Sequence, residues 1–125
     1  MLPVKRFLAT TENQLTGYRI LDRMGVVRGI AVRSRSVFGL IGARFQQLAG
    51  GEISLLAELC EQSRAAAFER AIQHAESLGA NALVAVRYDA TEIMAGVSEV
   101  LCYGTAMRVV ADRGLEDSTF ANEHP

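Results

Sequence analysis

The length, composition and charge of this chain exclude several classes of protein. Its 125 residues suffice for one globular domain, and with 50% hydrophobic residues and a formal net charge of −1 it is too apolar for a disordered chain. It has no apolar run of roughly 20 residues that could span a membrane, no signal-peptide core, and only two distant cysteines. We therefore expect a cytoplasmic protein with no membrane partner.

The first half of the chain predicts strands and a short helix. In residues 18–33, apolar side chains fall mainly on even-numbered positions, the period of a half-buried strand or hairpin. Gly25 and Gly29 predict either a turn or bulges in one long bent strand. Apolar spacings of three and four in residues 38–48 predict a short helix, which ends at Gly50-Gly51.

The next segment predicts a long helix. Ser54 is a suitable N-cap, and the helix runs to about Leu78. Gly79 is a suitable C-cap, because glycine enters the left-handed conformation without steric cost. The predicted buried seam consists of Leu56, Leu59, Cys60, Ala67, Ala71, Ala75 and Leu78.

The last segment predicts a β-hairpin. Residues 82–86 are continuously apolar, which indicates a strand covered on both faces. Residues 98–110 predict a second strand with large apolar side chains on one face and small ones on the other, and residues 89–97 predict the loop between them. The order of elements indicates one two-layered α+β domain over residues 1–110. Residues 111–125 are polar, and we expect a flexible tail there.

Two features indicate self-association. Both hairpin strands have two apolar faces, whereas only one long helix is available to cover a sheet, so one apolar face would remain exposed. Charge is also divided unevenly: residues 1–51 carry eight basic and two acidic residues, and residues 52–125 carry five basic and twelve acidic residues. We therefore expect a homo-oligomer, and the charge pattern fits a head-to-tail ring.

The basic half has two interpretations. It could contact nucleic acid or phosphate, or its arginines could face solvent or pair with the acidic half. The second is favoured, because the arginines form no adjacent cluster and do not alternate with aromatic residues. We expect no nucleic-acid partner.

Residues that could bind metal or catalyse a reaction are sparse. The chain has no C-x-x-C or H-x-x-x-H pair, and the helical rise places Cys60 and His74 about 21 Å apart. We interpret Cys60 and Cys102 as small buried apolar residues. We interpret His74 as a residue whose partial positive charge is favourable near the C-terminus of the helix. These three are nevertheless the candidate metal ligands. No nucleophile–base pair and no phosphate-binding loop is present, so we predict that the protein is not an enzyme.

One segment carries a family resemblance. Residues 78–89 read Leu-Gly-Ala-Asn-Ala-Leu-Val-Ala-Val-Arg-Tyr-Asp and resemble the signature of the YbjQ family, small bacterial proteins labelled heavy-metal-binding. Residues 25–32, Gly50-Gly51 and residues 102–107 resemble further family segments in order and spacing. The resemblance spans residues 8–110 and implies an α+β subunit assembled into a ring, a pentamer. The family often has acidic residues after the aromatic residue of the short helix, whereas Gly-Leu-Ile-Gly-Ala follows Phe38 here, so no metal ligand is carried over.

Two hypotheses of function follow. The first is a non-catalytic homo-oligomeric binding protein with a divalent or heavy-metal ion between subunits or at the ring axis, where symmetry multiplies one ligand per chain into a coordination shell. The second is a scaffold that binds a protein partner or a polyanion through the arginine-rich half. Salt-sensitive binding without metal dependence would favour the second.

Overall fold

The computed structural model describes residues 6–34 and 52–112. They form strands β1 (Leu8–Ala9) and β2 (Tyr18–Ser34), helix α1 (Glu52–Ser77), and strands β3 (Ala82–Met94) and β4 (Val97–Ala111). The strands make one sheet in the order β1-β3-β4-β2, in which β1 is parallel to β3 and the other pairs are antiparallel. α1 packs on one face of this sheet, mainly on β2 and β4. The predicted α+β class is confirmed.

Some predictions fall on other parts of the chain. The predicted short helix at 38–48 and most of the predicted C-terminal tail lie outside the described residues, although Ala111 still belongs to β4. Among the described residues, no helix combines the length and hydropathy needed to cross a membrane.

β2 is one long strand, as one of the two interpretations of its glycines predicted. It pairs with β4 along its whole length, with register shifts between Ile20 and Asp22 and between Arg23 and Gly25. Gly25 has φ +92°, a conformation that favours glycine. The bulges therefore bend a continuous strand, and no turn divides it.

The buried face of β2 is not the apolar face that periodicity indicates. The residues beneath α1 are Val27, Gly29 and Ala31. Val26 and Val32, on the even-numbered face, are 71% and 50% exposed. A side chain at position 29 would collide with the backbone of α1, so the helix selects the face with the smaller side chains.

The seam of α1 is narrower than predicted. Leu59 and three alanines at four-residue spacing, Ala67, Ala71 and Ala75, are buried as predicted, and Ser63 joins them. Cys60 and Leu78, predicted in the seam, are exposed. A four-residue repeat keeps to one narrow stripe of the helix, and positions one residue away turn toward solvent.

The termini of α1 were predicted only approximately. The helix begins at Glu52, so Ser54 is within it and is not its N-cap. Gly79, at φ +87°, follows its C-terminus, and the Ala80 N–H donates to the Ala75 carbonyl. The predicted glycine cap is therefore confirmed.

The β3–β4 hairpin is longer than predicted. β3 continues to Met94 and β4 begins at Val97, so only Ala95 and Gly96 form the turn, and the predicted loop at 89–97 is wrong. Residues 87–94 form an exposed half of β3, and exposed polar strand residues resemble a loop in sequence.

Residues 82–86 of β3 are covered on both faces, as predicted. Leu83 and Val86 lie under α1, whereas Ala82 and Val84 pack on the opposite face. There they join Met107 and Val109 of β4, and the covering side chains are Leu8, Leu15 and Tyr18. The N-terminal segment thus covers one end of the face that α1 leaves open.

Candidate functional site

The three candidate metal ligands lie apart in the fold. Cys60 is exposed on α1, Cys102 is buried in β4 beneath α1, and His74 is in the last turn of α1. The interpretation of Cys102 as a small buried residue is confirmed, and the same interpretation of Cys60 is wrong. Within residues 6–34 and 52–112, no three His, Cys, Asp or Glu residues are grouped closely enough to hold a metal ion.

Cys102 is a poor metal ligand at neutral pH. Burial raises the pKa of its thiol, and a hydrogen bond from the Tyr88 hydroxyl offsets part of that rise. Burial, and then the nearby Cys102, raise the pKa of Tyr88. The thiol therefore stays protonated, whereas metal binding and nucleophilic attack require the thiolate.

His74 is engaged by the backbone of β2. Its Nδ1 accepts a hydrogen bond from the Arg28 N–H at 3.2 Å and lies 3.4 Å from the carbonyl oxygen of the same residue. One turn earlier in α1, the Arg70 guanidinium donates to the Ile30 carbonyl. Because β2 is an edge strand of the sheet, these two side chains satisfy part of its open edge.

A cavity of about 180 Å³ lies between α1, the hairpin and the end of β2. We call it the α1–hairpin cavity. Its lining residues are Arg33, Leu59, Cys60, Ser63, Arg64, Ala90, Ser98, Glu99 and Val100. Of the three candidate metal ligands, it includes only Cys60.

Ser63 fixes the position of Arg33 at this cavity. Ser63 is 4% exposed and is the only buried polar or charged side chain in the described part of the chain. It accepts a hydrogen bond from Arg33 Nε at 2.9 Å and donates one to the Leu59 carbonyl at 3.1 Å. A serine in a seam of leucine and alanine was the sequence signal for this site, since a buried hydroxyl requires a partner.

Arginines in the described residues are mostly unpaired. In residues 6–34 and 52–112, the only ion pair joins Arg108 to Asp22 at 2.5 Å, with both side chains about half exposed. Neither Arg33 nor Arg64 has a carboxylate within ion-pair distance there. The α1–hairpin cavity therefore combines two guanidinium groups, one carboxylate, a thiol and an apolar wall.

Residues 6–34 and 52–112 cover the sheet face opposite α1 only in part. Val26, Ile30 and Val32 of β2 are exposed there, and Ile30 pairs across the strands with the half-buried Leu101 of β4. We call these four residues the apolar strip. Three of the four lie on β2, whereas the sequence predicted the exposed apolar face on the two hairpin strands.

Comparison with known proteins adds family information. The YbjQ family model, described as "putative heavy-metal-binding", matches residues 7–110. A UPF0145 protein of Solibacter usitatus is 58% identical over 101 residues, which cover 81% of this chain and 90% of that protein. A UPF0145 protein of Burkholderia thailandensis is 57% identical over 103 residues, which cover 82% and 93%. A crystal structure from Pediococcus pentosaceus, of unknown function and assigned to the DUF74 family, is 18% identical with a TM-score of 0.49, covering 85% of this chain and 98% of that one.

Proposed function

Because the chain belongs to the YbjQ family, we propose that it is a non-catalytic homo-oligomer that binds heavy-metal ions between subunits or at a ring axis. The family description supplies the ligand class. The observation that carries the assembly is the apolar strip, since exposed apolar faces usually mark an interface. The stoichiometry we propose is a pentameric ring.

The candidate metal ligands lie apart among the described residues of one chain, which favours a site to which several subunits contribute. One chain does not bring three ligating side chains together there, but closed symmetry repeats a single ligand in every subunit. Of the three candidates, Cys60 is the suitable one, because its thiol is exposed and soft thiolates bind heavy metals well. Cys102 is buried and protonated, and His74 has only Nε2 left for a metal ion, because its Nδ1 is hydrogen-bonded to the Arg28 backbone.

Native mass spectrometry with elemental analysis tests both parts of the proposal. Protein purified without chelator should form a ring with a constant metal-to-subunit ratio. Cys60→Ser should lose the metal but still assemble into the ring. The matched variant Cys102→Ala should keep both the metal and the ring. A metal-free ring, or a Cys60→Ser ring that retains its metal, would overturn the metal site.

Assembly has its own pair of variants. Val26→Asp places a charge in the apolar strip and should dissociate the ring, because an unpaired carboxylate in an apolar interface is costly. Ala57→Asp, on the exposed side of α1, is the matched control and should leave the ring intact. A wild-type monomer at micromolar concentration would contradict the assembly.

The second candidate function is binding of a polyanion or an acidic protein. It is supported by Arg19, Arg23 and Arg28 of β2, which are exposed and have no carboxylate partner among the described residues. Binding to heparin that weakens steeply with salt and is unchanged by chelator would favour this function over metal binding.

A further inference from the structure

The α1–hairpin cavity has the features of a small-ligand site that requires no metal. We propose that it binds a small monocarboxylate with a short apolar tail. The carboxylate contacts Arg33 and Arg64, and the tail lies against Leu59 and Val100. Cys60 lines this cavity too, but the carboxylate proposal does not rest on the oligomeric metal-binding function.

The cationic side of the cavity selects the carboxylate. Arg33 is half-buried, and its only hydrogen bond among the described residues is the one from Nε to Ser63. The two terminal nitrogens of its guanidinium therefore retain their donors in a geometry that matches a carboxylate. Arg64 adds a second positive charge, and with Glu99 the lining carries a net charge of +1, which favours a monoanion.

Ser63 makes this arrangement rigid. Its hydroxyl is anchored to the Leu59 carbonyl of its own helix, and it holds Arg33 Nε at 2.9 Å across the α1–β2 interface. A guanidinium that is positioned before the ligand arrives loses less side-chain entropy on binding. The hydrogen bond to the Leu59 carbonyl alone would satisfy the buried hydroxyl as a donor, so its second bond, to Arg33, serves to position the guanidinium.

The size and lining of the cavity select a short apolar tail. Its volume of about 180 Å³ is below the roughly 300–1,000 Å³ of sites for drug-sized ligands, so it holds only a small group. Leu59, Ala90 and Val100 provide an apolar wall. Inorganic phosphate or acetate would satisfy the arginines but would leave this wall in contact with water.

Isothermal titration calorimetry of the full chain with three probes tests the ligand class. Valerate should bind saturably at millimolar concentration or below. Acetate should bind at least roughly tenfold more weakly, because it buries no methylene groups. Butylamine should not bind, since it has the tail without the anion. No saturable valerate binding, or equal affinities for valerate and acetate, would overturn the proposal.

Two pairs of variants test the location. Arg64→Gln should weaken valerate binding at least roughly tenfold, whereas Arg23→Gln on β2 should not change it. Ala90→Leu fills the cavity without changing charge and should abolish binding, whereas Ala95→Leu in the hairpin turn should not. Positions 23, 64, 90 and 95 are all exposed, so the variants should fold, which circular dichroism checks. Unchanged valerate affinity in folded Arg64→Gln or Ala90→Leu would refute the site.

Discussion

Gly29→Ala tests how closely α1 lies on β2. An added Cβ would be 2.8 Å from the carbonyl carbon of Arg70, and closer still to the Ala67 oxygen and the Ala71 nitrogen. Real Cβ atoms essentially never approach other heavy atoms within 3.0 Å. All three neighbours are backbone atoms of α1, so no change of rotamer can relieve the overlap. The helix as a whole has to move away from the strand.

The cost follows from what that movement disturbs. Overpacking a well-packed core typically destabilises by about 1–3 kcal/mol. The added Cβ would push α1 away from β2, and the interface between them contains the fully buried Val27, Ala67 and Ala71. Their dispersion contacts weaken together as the helix shifts. We therefore expect the free energy of unfolding to fall by about 3 kcal/mol or more.

Urea denaturation followed by circular dichroism, at one protein concentration, measures the effect. Gly25→Ala is the matched control, because no atom lies within 4 Å of its added Cβ and its only cost is the positive φ of +92°. That strain amounts to about 1–2 kcal/mol. A soluble Gly29→Ala protein with the wild-type midpoint would refute the close approach of α1.

Two further predictions concern the buried Cys102 and the half-buried Asn81. Because folding raises the pKa of Cys102, the thiol's contribution to stability is complete below its unfolded pKa and declines as the pH rises above it. In Cys102→Ala the urea midpoint should decline less at alkaline pH. The same dependence of the midpoint on pH as in the wild type would count against the raised pKa of Cys102. Asn81 bridges Val109 through two 2.8 Å hydrogen bonds, to its N–H and its carbonyl. Asn81→Ala should therefore cost about 1–3 kcal/mol in urea denaturation, whereas Asn13→Ala, at an exposed position, should have little effect.

Local patterns in the sequence predicted much of the fold. The glycine after α1, the four-residue spacing of its alanines and the fully apolar start of β3 were all interpreted correctly. The two faces of β4 were also correct, since the small Cys102 and Ala106 lie beneath α1. Each of these features depends on neighbours within a few residues, so periodicity and glycine conformation are sufficient to find it.

The candidate site was much less accessible from sequence. Cys60 was singled out, but as a buried residue, and Arg33 and Ser63 were not connected. They are thirty residues apart in the chain and on different elements. Only the packing of α1 across the end of β2 joins them into one cavity lining.

The sequence by itself determined the type of β2, α1 and β4 and of the first half of β3, but not the short strand β1 or the outer half of β3. It did not determine which face of β2 is buried. Hydrophobicity indicated the even-numbered face of valine and isoleucine, but α1 covers Val27, Gly29 and Ala31. The physical reason is the separation of two backbones: α1 lies so near β2 that position 29 has no room for a Cβ. This close approach arises only when the helix packs on the strand in the folded protein. It leaves the more apolar face of β2 available for another surface.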